Sequence, residues 1–133
     1  MKKSLHFPRL ALLALTVLIA ASSAMAYDFE VGGIYYSKGR PNEVDVTYKD
    51  DTYNSYSGNV TIPSSVTYQG TTYTVVGLEW CTFYRCTGLT SVTLPNTILS
   101  IGSSAFASCT ALTGITIPNS VTEIDYNAFK AGA

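Results

Sequence analysis

From Leu78 onward the apolar residues recur every 23 positions. Leu78, Phe83, Cys86, Leu89, Val92, Leu94 and Ile98 are matched by Ile101, Phe106, Cys109, Leu112, Ile115, Ile117 and Val121. Pro95-Asn96 is matched by Pro118-Asn119, and a third copy starts at Ile124 with Phe129 in register. Within a period, Leu89-x-x-Val92-x-Leu94 alternates. That spacing predicts a strand with Val92 and Leu94 on the covered face and Ser91 and Thr93 on the other. Pro95 has no N–H for a ladder and ends the strand. Ser103 to Ser108, with Ala105 and Phe106 at its centre, suits one or two helical turns. Phe83, Phe106 and Phe129 are then expected to stack as a buried column. One such unit cannot close a core, but stacked neighbours cover one another.

A partial copy precedes these. In Asn59 to Thr67 (NVTIPSSVT), Val60, Ile62, Pro63 and Val66 stand where Val92, Leu94, Pro95 and Ile98 stand later. The offset there is 32, and the nine extra residues fall in Thr67 to Val75, which reads as a hairpin about Gln69-Gly70. Further upstream, Asp28 to Val31 and Ile34 to Tyr36 flank Gly32-Gly33, a two-residue hairpin signal. Glu43 to Tyr48 alternates as a third strand, and the polar stretch Lys49 to Gly58 reads as a loop. The expected fold is an α/β solenoid: 23-residue repeats, a parallel sheet on one face and a β-hairpin-rich N-terminal cap. The expected divisions are a leader at 1–26, the cap at 27–77 (including the partial repeat 58–67 and its hairpin), and repeats at 78–100, 101–123 and 124–133.

The leader changes what composition means. Lys2, Lys3 and Arg9 precede or border the 12-residue apolar run Leu10 to Ala21, and Ala24 and Ala26 supply small residues for signal-peptidase cleavage. A bilayer-spanning helix needs about 20 apolar residues, so a cleaved signal peptide, an exported mature chain and no membrane span are expected. Three of the eight basic residues leave with the leader. Five then remain against nine acidic ones, a net charge of −4 with no basic stripe, which argues against nucleic acid. The single histidine, His6, is also in the leader. The mature chain therefore has no imidazole for nucleophile activation, zinc ligation or proton shuttling.

The motif L-x-x-V/I-x-I/L-P-x-x-V/I-x-x-I-G-x-x-A-F-x-x-C resembles the BspA-type leucine-rich repeat of bacterial secreted and surface proteins. Leu89, Val92, Leu94, Pro95, Ile98, Ile101, Gly102, Ala105, Phe106 and Cys109 carry the resemblance, and Leu112 to Phe129 repeats it. It covers about residues 58–133. Glu79 and Thr82 depart from the Gly and Ala of the motif, which points to a looser turn beside the cap. The resemblance implies a leucine-rich-repeat fold and a non-enzymatic binding or adhesion role. Some members of the family have host extracellular-matrix proteins as partners.

Candidate chemistry is sparse. Glu79 and Asp125 occupy equivalent positions two repeats apart, on outer turns without a cleft, so no catalytic residue is assigned. Asp50-Asp51 lacks the regular acids, Gly and closing Glu of a calcium loop. No metal or cofactor is expected. Cys81, Cys86 and Cys109 contain no C-x-x-C, and Cys86 and Cys109 lie one period apart, which reads as buried small apolar residues. An exported chain permits a disulfide, and an odd count leaves at least one thiol outside any intrachain pair. Trp80, at the junction of cap and array, reads as a packing residue. The remaining candidate is the open face of the sheet: Asn59, Thr61, Ser91, Thr93 and, beyond Gly114, Thr116. The functional expectation is an exported protein that binds a protein partner through this face. A second reading makes the chain a truncated repeat protein with a structural role and no ligand of its own. A strand at Leu112 to Ile117 without an outer neighbour would further give an uncapped edge suited to self-association.

Overall fold

The computed structural model describes residues 25–131. The leader, apart from Met25 and Ala26, lies outside the described residues. Strands β1 (Phe29–Val31) and β2 (Ile34–Arg40) form an antiparallel hairpin. Gly32 and Gly33 turn it with φ of 61° and 84°, the left-handed pair that a tight primed turn demands. Strand β3 (Glu43–Thr47) pairs antiparallel with β2, and β4 (Gly58–Thr61) follows after a loop. Strands β5 (Ser65–Tyr68) and β6 (Thr71–Leu78) form a second hairpin, turned by Gln69 and Gly70, both also at positive φ. Strands β7 (Leu89–Thr93), β8 (Ser100–Ile101) and β9 (Glu123–Ile124) complete the set.

The larger sheet runs β1-β2-β3-β6-β8-β9, and the smaller pairs β4 with β7. Strand β6 serves two structures. Its first half closes the hairpin with β5, while its second half lies between β3 and β8 in parallel register. One rung of that parallel ladder joins Val46, Leu78, Ile101 and Ile124. The last three of these are the repeated apolar positions, so each chain period advances the structure by one ladder step.

No helix forms among the described residues, and this corrects the α/β expectation. The segments at 79–86, 102–109 and 125–130 are chains of β-turns instead. In them, alternate N–H groups close local turns: Tyr84 to the carbonyl of Cys81 (3.1 Å), Cys86 to Phe83 (3.1 Å), Ala107 to Ser104 (3.1 Å). The intervening N–H groups donate across to the next coil: Cys81 to Ser103 (3.0 Å), Phe83 to Ala105 (2.7 Å), Arg85 to Ala107 (3.0 Å). Ser104 to Tyr126 (3.3 Å), Phe106 to Ala128 (2.7 Å) and Ser108 to Lys130 (3.2 Å) repeat the pattern. Left-handed φ at Cys81, Arg85, Ser104, Ser108 and Asn127 produces the alternation. A right-handed helix excludes that conformation and would direct its N–H groups along its own axis to carbonyls four residues back, leaving none for the next coil.

A second correction concerns Leu112 to Ile117, which forms no strand and makes no ladder with β7. Gly114 stands where Ser91 stands in β7, and a glycine in mid-strand gives up side-chain packing and costs more backbone entropy. The edge strands that come latest in the described chain are therefore β7 in one ladder and β9 in the other, so the edge expected at 112–117 lies elsewhere.

The axis of the molecule is aromatic. Tyr56, Phe83, Phe106 and Phe129 succeed one another with ring centroids 4.9, 5.0 and 5.1 Å apart. Phe83 and Phe106 are buried, while Phe129 is 41% exposed. Tyr56 joins the column to the N-terminal sheet, because its hydroxyl donates to the Thr47 carbonyl (2.6 Å) and accepts from the Tyr35 N–H (3.1 Å).

The junction is tied rather than loosened by the two departures from the motif. The Thr82 hydroxyl is buried within reach of the carbonyls of Val46 (2.9 Å) and Glu79 (2.7 Å). Glu79 accepts a hydrogen bond from the Ser37 hydroxyl at 2.6 Å. At the equivalent place one coil later, a Cβ on Gly102 would fall 2.6 Å from the Trp80 nitrogen and 2.7 Å from the Glu79 carbonyl carbon. Backbone cannot yield there, so glycine is required.

Replacing Phe106 by Ala removes a ring from the middle of the column and should cost about 3–5 kcal/mol; a thermal melt within a degree of the parent would contradict that packing. Asp45 gives a pH signature. Burial, followed by the nearby Glu79 charge, pushes its carboxyl above the ordinary 3.8. The folded state then holds the proton more tightly than the unfolded one, so stability falls as pH rises from the unfolded value through the folded one. Asp45→Asn should flatten that fall and raise the melting temperature at pH 7, with little change at pH 3.

Candidate functional site

Strands β4 and β7 build the candidate face. Their parallel register sets Asn59 beside Ser91, Val60 beside Val92 and Thr61 beside Thr93. Alternation then sorts the side chains. Val92 is buried and Val60 half-buried against the core, while Asn59, Thr61, Ser91 and Thr93 are exposed. The Asn59 side-chain carbonyl accepts from the hydroxyls of Thr90 (2.8 Å) and Ser91 (2.9 Å), which orients its amide nitrogen and holds the two strands' polar groups in place. Thr116 is exposed too, but it is not part of the ladder. It lines one shared cleft of about 230 Å³ with Val92, Thr93, Leu94, Asn96 and Pro118. The structure thus joins four of the five sequence-derived residues in one ladder and leaves Thr116 outside it.

A second hollow, about 350 Å³, borders the other edge of β4, between Asn59–Thr61, Ser55–Ser57 and the Gly32-Gly33 turn. Sequence periodicity gave no sign of it, because its walls come from segments some 25 residues apart. The four grouped residues carry no charge. They offer hydroxyl and amide groups, which can donate or accept hydrogen bonds but cannot carry out acid–base catalysis near neutral pH.

The carboxylates weighed for catalysis are engaged separately. Glu79 holds the Ser37 hydroxyl, and an Asp125 side-chain oxygen accepts from the Tyr126 N–H at 2.7 Å. Asp50 is spent on its own turn, accepting from the Thr52 N–H (3.0 Å) and hydroxyl (2.5 Å), which lowers its pKa.

The cysteines are free and buried. The Cys109 thiol donates to the Phe83 carbonyl at 2.9 Å, and Cys86 sits 3.6 Å from the Tyr53 carbonyl. Burial, with Cys86 close by, pushes the Cys109 thiol up to about 12, and burial raises Cys86 and Cys81 as well. These are thiols used for packing. Trp80 departs from the packing role expected of it, since half of its surface is exposed.

A family model for the BspA type leucine rich repeat region matches residues 77–132. No curated protein matches the chain. Among solved structures, a leucine-rich repeat protein from Bacteroides ovatus is 34% identical with a TM-score of 0.63, over 71% of this chain and 24% of its own. A leucine rich cell surface protein from Faecalibacterium prausnitzii is 25% identical with a TM-score of 0.62, over 83% of this chain and 35% of its own. The leucine-rich repeat protein of T. pallidum is 27% identical with a TM-score of 0.62, over 77% of this chain and 45% of its own. The chain therefore spans less than half the length of each.

Thiol labelling tests the packing role of the cysteines. At pH 8 the native protein should react with a maleimide or aromatic disulfide reagent far more slowly than the same protein in guanidinium. Fast native labelling of any of Cys81, Cys86 or Cys109 would contradict the burial and raised pKa of these thiols.

Proposed function

Residues 77–132 belong to the BspA-type leucine-rich repeat family, and from that premise we propose that the chain is an exported, non-enzymatic protein that binds a protein partner at or outside the cell surface. Its binding surface is the hydroxyl-rich face of Asn59, Thr61, Ser91 and Thr93, with Thr116 as an outlying member. The single observation that carries this reading is the joined, exposed and uncharged arrangement of those four side chains on β4 and β7, backed by buried valine on the other face. Continuous faces of stacked repeats are the surfaces such proteins commonly use for recognition. In this reading 27–77 caps one end of a solenoid of 23-residue repeats, and its second hairpin is an insertion into the first coil. Export is supported by the tripartite leader and by the cell-surface description of the Faecalibacterium protein. Extracellular-matrix proteins of a host are the partner class that the family suggests.

The test is surface plasmon resonance of the chain from Tyr27 against a panel of purified extracellular-matrix glycoproteins. Saturable binding is expected to at least one of them. The double variant Thr61→Lys/Thr93→Lys, which places like charges on the centre of the face, should weaken it by about tenfold or more. The paired charges lower the melting temperature somewhat, and circular dichroism should show the variant folded at the assay temperature. Absence of saturable binding across the panel, or binding indifferent to the double variant, would overturn the reading.

A further inference from the structure

Trp80 is 50% exposed, yet its ring is braced by two tyrosines. Tyr48 meets it edge-on with centroids 5.4 Å apart, and Tyr53 lies 6.3 Å away. Tyr53 in turn contacts Tyr48 at 5.0 Å and Tyr84 edge-on at 5.4 Å, and the Arg85 guanidinium sits 5.2 Å over the Tyr84 ring. The rings of Tyr53, Trp80 and Tyr84 and the Arg85 cation thus form one surface strip, with the buried Tyr48 ring supporting it from below. The backbone beneath it is held by the cross-coil bonds from Cys81 to Ser103 and from Arg85 to Ala107. Past Tyr84 the strip opens into a groove of about 350 Å³, whose walls include Ser104, Ser108, Asn127 and Lys130.

Charge singles out this strip. After Lys49 the chain contains only two basic residues, Arg85 and Lys130, and both lie here. Neither has a carboxylate within ion-pair distance among the described residues. Arg85 bonds to the Ala107 carbonyl, and the neighbouring Ser108 bonds to that of Lys130. The backbones of Arg85 and Lys130 are therefore two ladder steps apart, about 10 Å at the usual strand spacing. Two carboxylates, Asp51 and Glu79, lie near the opposite end, where both act on Tyr48; Glu79 is held there by the Ser37 hydroxyl.

We propose that this strip is a binding site for an anionic oligosaccharide. The apolar C–H face of a pyranose ring would lie on Trp80, whose ring is fixed in advance by Tyr48 and Tyr53, while Tyr84 holds the Arg85 guanidinium in place. Carboxylate or sulfate groups would meet Arg85 and Lys130. Sugar hydroxyls would exchange hydrogen bonds with Ser104, Ser108 and the Asn127 amide. A peptide partner fits less well: the groove is walled mainly by short polar side chains and offers no deep apolar pocket for an anchoring residue. A chain of sugars, by contrast, repeats its rings and its charges along its length, as the coils repeat their rungs. The site shares no residue with the β4–β7 face and does not depend on that face binding anything.

Trp80 is the only tryptophan in the chain, so emission excited beyond the tyrosine absorption band reports this site alone. The protein should be titrated with an oligogalacturonate hexasaccharide (carboxylates), a chondroitin sulfate hexasaccharide (sulfates as well) and neutral maltohexaose. A saturable emission change is expected with at least one anionic sugar, and which one responds identifies the acid group preferred. Maltohexaose should bind at least about tenfold more weakly, and Arg85→Gln/Lys130→Gln should weaken the anionic sugar by a similar factor. Calorimetry on Trp80→Ala should show the same loss, with circular dichroism confirming that each variant is folded. Thr61→Lys/Thr93→Lys should leave sugar binding intact, so failure of one site is distinguishable from failure of the other. The proposal is overturned by no response to either anionic sugar, by equal affinity for maltohexaose, by indifference to the Arg85/Lys130 double variant, or by an equal response to poly-glutamate.

Discussion

Stacking of one coil on the next at a single spacing is the constraint on which the rest of the molecule depends. The aromatic column steps by 4.9 to 5.1 Å from Tyr56 to Phe129, close to the roughly 4.8 Å at which hydrogen-bonded strands lie. Because the two distances nearly agree, the rings can touch while the Val46–Leu78–Ile101–Ile124 rung and the Phe83-to-Ala105 and Phe106-to-Ala128 bonds all form. A larger or smaller step would sacrifice either ring contact or backbone bonds. Buried backbone groups without partners are costly, so the core and the ladders select the same geometry.

That spacing explains the special residues. Gly102 is glycine because the coil before it passes within 2.6 Å of where a Cβ would be. Cys81, Ser104 and Asn127 share one left-handed position, since only that turn lets every second N–H reach the next coil. Thr82 and Glu79 differ from their counterparts because their neighbour is the N-terminal sheet rather than another coil, and each makes a bond to it. The surface inherits the same order. Small hydroxyls fall in register on β4 and β7, while the turn side gathers the rings of Tyr53, Trp80 and Tyr84 with the two downstream cations.

Much of the architecture was legible in the sequence, for reasons that are local. The 23-residue period, the phenylalanine column and the buried cysteines follow from apolar residues recurring in step, and a repeat states its own packing whenever it is stacked on a copy of itself. Gly32-Gly33 and Gln69-Gly70 specify their turns through the φ values those residues tolerate. The strand at Leu89–Thr93 announces itself by alternation and by Pro95 after it. On the candidate face, the same alternation was enough to name Asn59, Thr61, Ser91 and Thr93.

Other features required the folded chain. Strands β8 and β9 are two residues long, too short to carry any period, and they exist only because β6 offers a ladder to β8, and β8 offers one to β9. The segment around Ala105 and Phe106 has the composition of a helical turn, but the adjacent coil supplies acceptors for alternate N–H groups, and that competition decides for turns. Leu112 to Ile117 has a strand's pattern, yet it makes no ladder with β7. Trp80 stays half-exposed because tyrosines distant in sequence brace it from the side instead of covering it. The sequence by itself determined which residues face inward and how often the chain must return. Tertiary structure decided which backbone groups find partners across coils and which rings are left facing water, because both depend on contacts between segments that only stacking brings together.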